Sequence, residues 1–159
     1  MTLIVVAAPV PVRQAHADDL DAASRLLHEF NVEFGDPTPG PAVLAQRLRQ
    51  LVDEGTTVVL VAGEDPVGVA VLRFRPAIWS GSHECYLAEL YVVPSQRGRG
   101  AGRALMQSSL ELARERGATT MDIGVDEPDI AARALYESLG FSNKTGPEGH
   151  VMYVYERVL

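Results

Sequence analysis

Two hydrophobic rhythms meet near the middle of the chain. Residues 84–93 are apolar at almost every position, with Glu89 the only charge between Cys85 and Val93. A short apolar run that stops at Pro94 predicts a buried strand. Strict alternation puts Tyr86, Ala88, Leu90 and Val92 on one face and Cys85, Leu87, Glu89, Tyr91 and Val93 on the other. From Ala101 the rhythm changes to helical spacing, through Ala104, Leu105, Met106, Leu110, Leu112 and Ala113. Between the two lie Gly98, Gly100 and Gly102, alternating with Arg97, Arg99 and Arg103. A strand therefore feeds a glycine loop that opens a helix.

The same reading extends along the chain. Residues 3–12 are apolar and predict a first strand. Leu20, Ala23, Leu27, Phe30 and Phe34 mark one face of a helix over 17–34, which the Gly/Pro-rich stretch 35–41 ends. A second helix runs to about Asp53 with Leu44, Leu48 and Leu51 inward. Residues 57–62 and 67–75 predict a hairpin across the turn at 63–66, and a loop over 76–83 carries Trp79. Beyond the central helix come a strand at 119–125, a helix from Asp129 to its C-cap Gly140, and an alternating strand at 151–157. The predicted order is βααβββαβαβ, an α/β (α+β) chain with a mixed sheet of six to seven strands and helices on both faces.

Composition narrows the class. A chain of 159 residues with 47% hydrophobic and 22% charged positions is expected to be one globular domain over residues 1–159. The opening stretch lacks a basic flank and is short for a membrane span, so a cytoplasmic protein without a membrane partner is expected. A formal charge of −7 argues against nucleic acid and slightly favours a cationic small molecule. Cys85 is the single cysteine, which excludes an internal disulfide and points to a buried thiol. The four histidines show no metal-ligand spacing, so no metal is expected. Nothing fixes the oligomeric state, and a homodimer is compatible with the chain.

The glycine loop is the strongest chemical signal. Backbone N–H groups at a helix start can close on an anion with the helix dipole behind them, and arginines add forked donors for phosphate oxygens. Three readings compete with a pyrophosphate site of another kind. The dinucleotide fingerprint requires a glycine where Arg103 stands, and the nucleotide P-loop requires a lysine, whereas the chain's only lysine is Lys144. A plain strand-to-helix turn explains one glycine, but not three alternating with arginines.

The segment resembles the acetyl-CoA-binding motif of the GNAT N-acetyltransferase superfamily, a strand ending in Val followed by Arg/Gln-x-x-Gly-x-Gly/Ala. Here that is Val92, Arg97, Gly100 and Gly102, with Gly98 extra. Residues 135–141, Leu-Tyr-Glu-Ser-Leu-Gly-Phe, match the family's late helix and its exit, and the opening around Val12, Arg13, Asp18 and Asp19 is similar to its first strand and helix. One departure is Asp129, where many members carry Asn.

The resemblance implies the GNAT fold, acetyl-CoA as acyl donor, and direct transfer to a primary amine of a small molecule or peptide. It implies cofactor contacts from Leu90, Tyr91, Val92 and Val93, where the family's central strand bulges and splays, and from Arg97, Gly98, Arg99, Gly100, Ala101, Gly102, Arg103 and Asp129. The Val92 amide would face the thioester oxygen, an oxyanion-hole role. Tyr136 is the position of the family's general acid; helical spacing alone would favour a packing tyrosine with its hydroxyl in water.

A lysine-like amine has a pKa near 10.4, so presenting it neutral at pH 7 costs about 4–5 kcal/mol and makes a base useful. Glu89 is the best candidate, because a carboxylate in an apolar strand is desolvated and its pKa rises. The competing structural role is an ion pair with Arg73 or Arg75. The resemblance implies that Phe30, Glu33, Phe34 and Trp79, from the helix end and loop, wall the acceptor, while core packing explains Phe30 and Phe34 equally well; His83 and His150, in loops beside the site strands, are weaker candidates for a base or a substrate contact. An acyl-CoA-binding domain without chemistry is the alternative function; it would keep the glycine loop and lose the catalytic pair.

Overall fold

The computed structural model describes residues 8–159. Of the apolar opening stretch, residues 3–7 lie outside that range and 8–11 are not in a strand. The first strand, β1, is Val12–Gln14. It is followed by α1 (Leu20–Phe34), α2 (Pro41–Asp53), β2 (Thr57–Ala62), β3 (Gly68–Pro76), β4 (His83–Val92), α3 (Ala101–Glu115), β5 (Ala118–Ile123), α4 (Ile130–Ser138), β6 (Lys144–Thr145) and β7 (His150–Val151). The chain divides into two compact units, Met1–Asp122 and Ile123–Leu159.

In the first unit the strands lie in the order β1-β2-β3-β4-β5. The pairs β1/β2, β2/β3 and β3/β4 are antiparallel. The passage from β4 to β5 through α3 is the crossover that a parallel pair requires, and the sheet is mixed. All six positions of β2 are buried, so both faces of this sheet are covered. Val59, Val61, Val69, Val71 and Tyr91 pack with Leu20, Ala23, Leu26, Leu27 and Leu48 of α1 and α2. Alternation sends Val58, Leu60, Ala70 and Leu72 to the opposite face, where α3 brings Leu105 and Met106. At Gly68 the approach leaves no room for a side chain: an added Cβ would lie 3.0 Å from Leu105 Cδ1 and 3.1 Å from the Tyr91 carbonyl.

Two expectations from the pattern need correction. Among the described residues the central sheet has five strands instead of six to seven, and β6 and β7 form a separate two-stranded ladder. The strand expected at 151–157 is replaced by β7 and an exposed segment, with Tyr153 and Tyr155 both more than 70% exposed. Alternation marks a strand only where an edge pairs with it and a face is buried; here the two tyrosines meet each other, ring centroids 6.4 Å apart.

The second correction concerns β4. Val71 stands opposite Glu89 and Leu72 opposite Leu87, so Ala88 is an extra residue, a β-bulge. The bulge lies before the segment 90–93 where the family resemblance put it. It breaks the strict alternation expected for β4: Cys85 and Leu87 face α3, while Glu89 and Tyr91 face α1 and α2.

Candidate active site

The end of β4 and the start of α3 build the glycine loop. A short 3-10 turn, Pro94–Gln96, follows Val93 and delivers the chain to Gly98 and Gly100. Both glycines have positive φ, 72° and 90°, a region that side-chain-bearing residues enter at a cost. Gly100 is the N-cap of α3 and brings no side chain to it, and the first turn of α3 holds no acidic residue. The amides of that turn, which have no partner inside the helix, therefore receive no side-chain cap from the N-cap residue. Space is open around the Cβ positions of Gly98 and Gly100. These features fit an anionic group at this helix start.

Val92 and Val93 point their backbones in opposite directions. Val93 donates its N–H to the Val67 carbonyl at 3.0 Å, which extends the ladder with β3. The preceding residue turns its backbone groups to the other edge of the strand, and the Val92 carbonyl there accepts Arg97 Nε at 2.9 Å. Of the backbone positions expected to meet the cofactor, the Val93 amide is thus already in use.

The three loop arginines are not equivalent. Arg97 forks its two terminal nitrogens onto the Glu33 carboxylate at 2.7 Å each. Its guanidinium also lies 5.5 Å from the centre of the Tyr91 ring. Tyr91 stacks on Phe30, centroids 5.3 Å apart, and Phe30 meets Phe34 edge-on. The Glu33 carboxyl is held below its usual range by the hydrogen bonds from Arg97 and Tyr91, against the effect of burial. The side chain of Arg97 is thereby engaged within the protein, and all three arginines are exposed.

Glu89 lies on the α1/α2 face beside a cavity of about 450 Å³, lined by Thr56, Arg73, Phe74, Arg75, Tyr86, Ala88 and Glu89. Burial pushes its carboxyl upward. The ion pair with Arg75 expected as its competing role is absent, because Arg75 pairs with Glu84 at 2.6 Å. Glu89 also has no ion pair with Arg73 among the described residues.

The five residues expected near an acceptor do not converge. Phe30, Glu33 and Phe34 gather at the end of α1 beside the glycine loop. His83 begins β4, roughly 30 Å of extended strand away from its end, and Trp79 is almost fully exposed in the turn before it. Tyr86, which the sequence did not single out, and Arg73, which it named only as a possible ion-pair partner of Glu89, line the cavity instead. Only the register set by the bulge puts them on one face with Glu89. Cys85 is buried and its thiol is pushed up to about 11, so it offers no thiolate at neutral pH.

In the second unit, Asp129 caps α4 by accepting the Ala132 N–H at 3.1 Å. The carboxylate that the resemblance assigns to the cofactor thus also caps a helix. Tyr136 is buried on α4 with Phe141 against its ring, centroids 6.1 Å apart. Burial, with Asp129 nearby, raises its phenol, which stays protonated at neutral pH. His150 pairs with Glu148 at 2.7 Å on the surface.

The Acetyltransferase (GNAT) family matches residues 21–141. The chain belongs to this family. It is 28% identical over 142 residues to a thialysine N-epsilon-acetyltransferase of Caenorhabditis elegans, across 88% of this chain and 86% of that protein. It is 47% identical over 137 residues to a mycothiol acetyltransferase of Thermobispora bispora, across 83% of this chain but 41% of that longer protein. A solved structure from Arthrobacter sp. FB24, described as a candidate acetyltransferase, superposes with a TM-score of 0.85 at 44% identity, covering 96% of this chain and 98% of that one. This GNAT chain is an acetyltransferase enzyme with the α+β fold of the family. No helix among the described residues is long and apolar enough to cross a membrane.

Proposed function

We propose that this GNAT enzyme transfers acetyl from acetyl-CoA to a primary amine of a small molecule or peptide, by direct attack in a ternary complex. The observation that carries the reading is Glu89: a desolvated carboxylate, facing a cavity, on the strand that leads through a short turn into a glycine loop whose N-cap residue, Gly100, brings no side chain to the helix. The backbone of residues 98–103 would hold the pyrophosphate, and β4 up to Val92 would align the pantetheine arm. When bound, acetyl-CoA supplies an activated thioester.

The chain's own residues then have separate tasks. Glu89 accepts the proton of the incoming ammonium, and its raised pKa brings it nearer the working pH of a base. The Val92 amide, turned away from β3, donates toward the oxygen that gains charge. Tyr136, assigned by its place in the Leu-Tyr-Glu-Ser-Leu-Gly-Phe motif, protonates the departing thiolate, and its raised pKa keeps that proton available. Cys85 cannot serve as an acyl carrier while its thiol is held near 11, which supports direct transfer.

The relatives named for thialysine and mycothiol support a small-molecule acceptor. The test is thiol release from acetyl-CoA against polyamines, aminoglycosides, amino acids and N-terminal peptides. Release that depends on at least one amine supports the reading. Acetyl-CoA binding without release on any of them overturns it.

A further inference from the structure

We infer that the acceptor is an amine that also carries a carboxylate, and that Arg73 is the residue that recognises this second group. The inference rests on the reading of Glu89 as the group that receives the amine. Its basis is the arrangement of charge along one face of β3 and β4. The bulge at Ala88 turns Glu89 to the face that also presents Arg73, Arg75 and Tyr86, and all four line the same cavity. Arg75 is neutralised by Glu84 at 2.6 Å and has Asp122 at 3.7 Å. Arg73 forms no ion pair among the described residues. The cavity therefore holds one cation and one carboxylate that make no ion pair, on the same face of the ladder with the Leu72/Leu87 rung between them.

A substrate that matches this wall carries the opposite pair. Its ammonium meets Glu89, and its carboxylate meets the forked donors of Arg73. Direct pairing of Arg73 with Glu89 would have removed the need for any such ligand, and the structure keeps them apart. A third polar feature lies beside them. Thr57 stands directly across from Arg73 in the β2/β3 ladder, and its hydroxyl is the one buried side-chain polar atom without a hydrogen-bond partner among the described residues. Polar atoms left in that state are uncommon in folded proteins.

The experiment compares amines that differ only in the carboxylate: lysine against cadaverine, and ornithine against putrescine. Steady-state kcat/KM for each is measured at saturating acetyl-CoA on the wild type, Arg73→Gln and Arg73→Lys. The expected preference for the carboxylate-bearing member is roughly 10- to 100-fold, the worth of a charge-assisted hydrogen bond. Arg73→Gln should bring that ratio close to one, mainly through KM, and Arg73→Lys should restore part of it. Circular dichroism and thermal melting confirm that the variants are folded. A wild type that prefers the decarboxylated amines overturns the inference while leaving amine acetylation standing. So does a ratio that Arg73→Gln leaves unchanged. Acetyl-CoA binding with no turnover of any amine overturns both readings together.

Discussion

Arg97 and Glu33 are bound to each other at two points, each 2.7 Å, across 64 residues of sequence. The pair joins the last turn of α1 to the glycine loop, and the Tyr91 ring lies against the same guanidinium. The helix that ends beside the loop is therefore tied to the residue that begins the motif. Both side chains are partly exposed, 43% and 29%, so the pair is expected to contribute no more than about 1 kcal/mol to stability.

Glu33→Gln should lower the melting temperature by about 1–4 °C at neutral pH, given that ceiling and the size of the chain. The sign with pH follows from the lowered carboxyl pKa. The contribution is present above the ordinary value of about 4.3 and is lost as pH falls through the folded-state value. The gap between variant and wild type should therefore close in acid. Differential scanning calorimetry across pH 3 to 7, about the range these pKa values span, checks this; a gap that widens in acid would contradict it.

Gly100→Val should weaken acetyl-CoA binding while the protein remains folded. Its φ of 90° strains any residue with a Cβ, and the new side chain would fill the open space where an anion approaches the α3 amides. Strain of about 1–3 kcal/mol is expected to leave the domain folded. Titration calorimetry reads the affinity, and unchanged binding by a folded variant would move the phosphate site elsewhere.

Glu89→Gln tests a base through two independent signs. In catalysis, kcat should fall by about 10²–10⁴-fold near neutrality and recover at higher pH, where more of the amine is already neutral. In stability the effect runs the other way. A carboxyl whose pKa is raised on folding is protonated without penalty in acid, and stability falls as pH rises from about 4.3 through the folded value. The Gln variant should therefore melt above the wild type at pH 7 and level with it near pH 4. Lower stability at neutral pH would show instead that the charge is structurally favourable.

Tyr136→Phe should lower kcat by about 10²–10⁴-fold with little change in acetyl-CoA affinity, because a proton donor acts only as charge reaches the sulfur. The ring and its contact with Phe141 would remain. A variant within about threefold of wild type, far below that range, would make Tyr136 a packing residue.

Much of this protein is legible in the chain itself. The runs at 57–62, 67–75, 84–93 and 101–113 correspond to β2, β3, β4 and α3 within a residue or two, because each element is covered on a face and must show its period. The glycine loop is equally local: a strand end, positive-φ glycines and a helix start are consecutive in sequence. Tertiary structure alone decided which way Glu89 faces. One extra residue at Ala88 reverses the strand's alternation, and no periodicity contains a bulge that exists only relative to the partner strand. It also decided that Arg97 is held by Glu33, that Arg75 pairs with Glu84 and that Arg73 does not pair, since ion pairs between distant elements depend on register and packing. The alternation at 151–157 misled for the complementary reason. Sequence states what a strand could bury, and only the folded chain supplies the edge and the face that make it one.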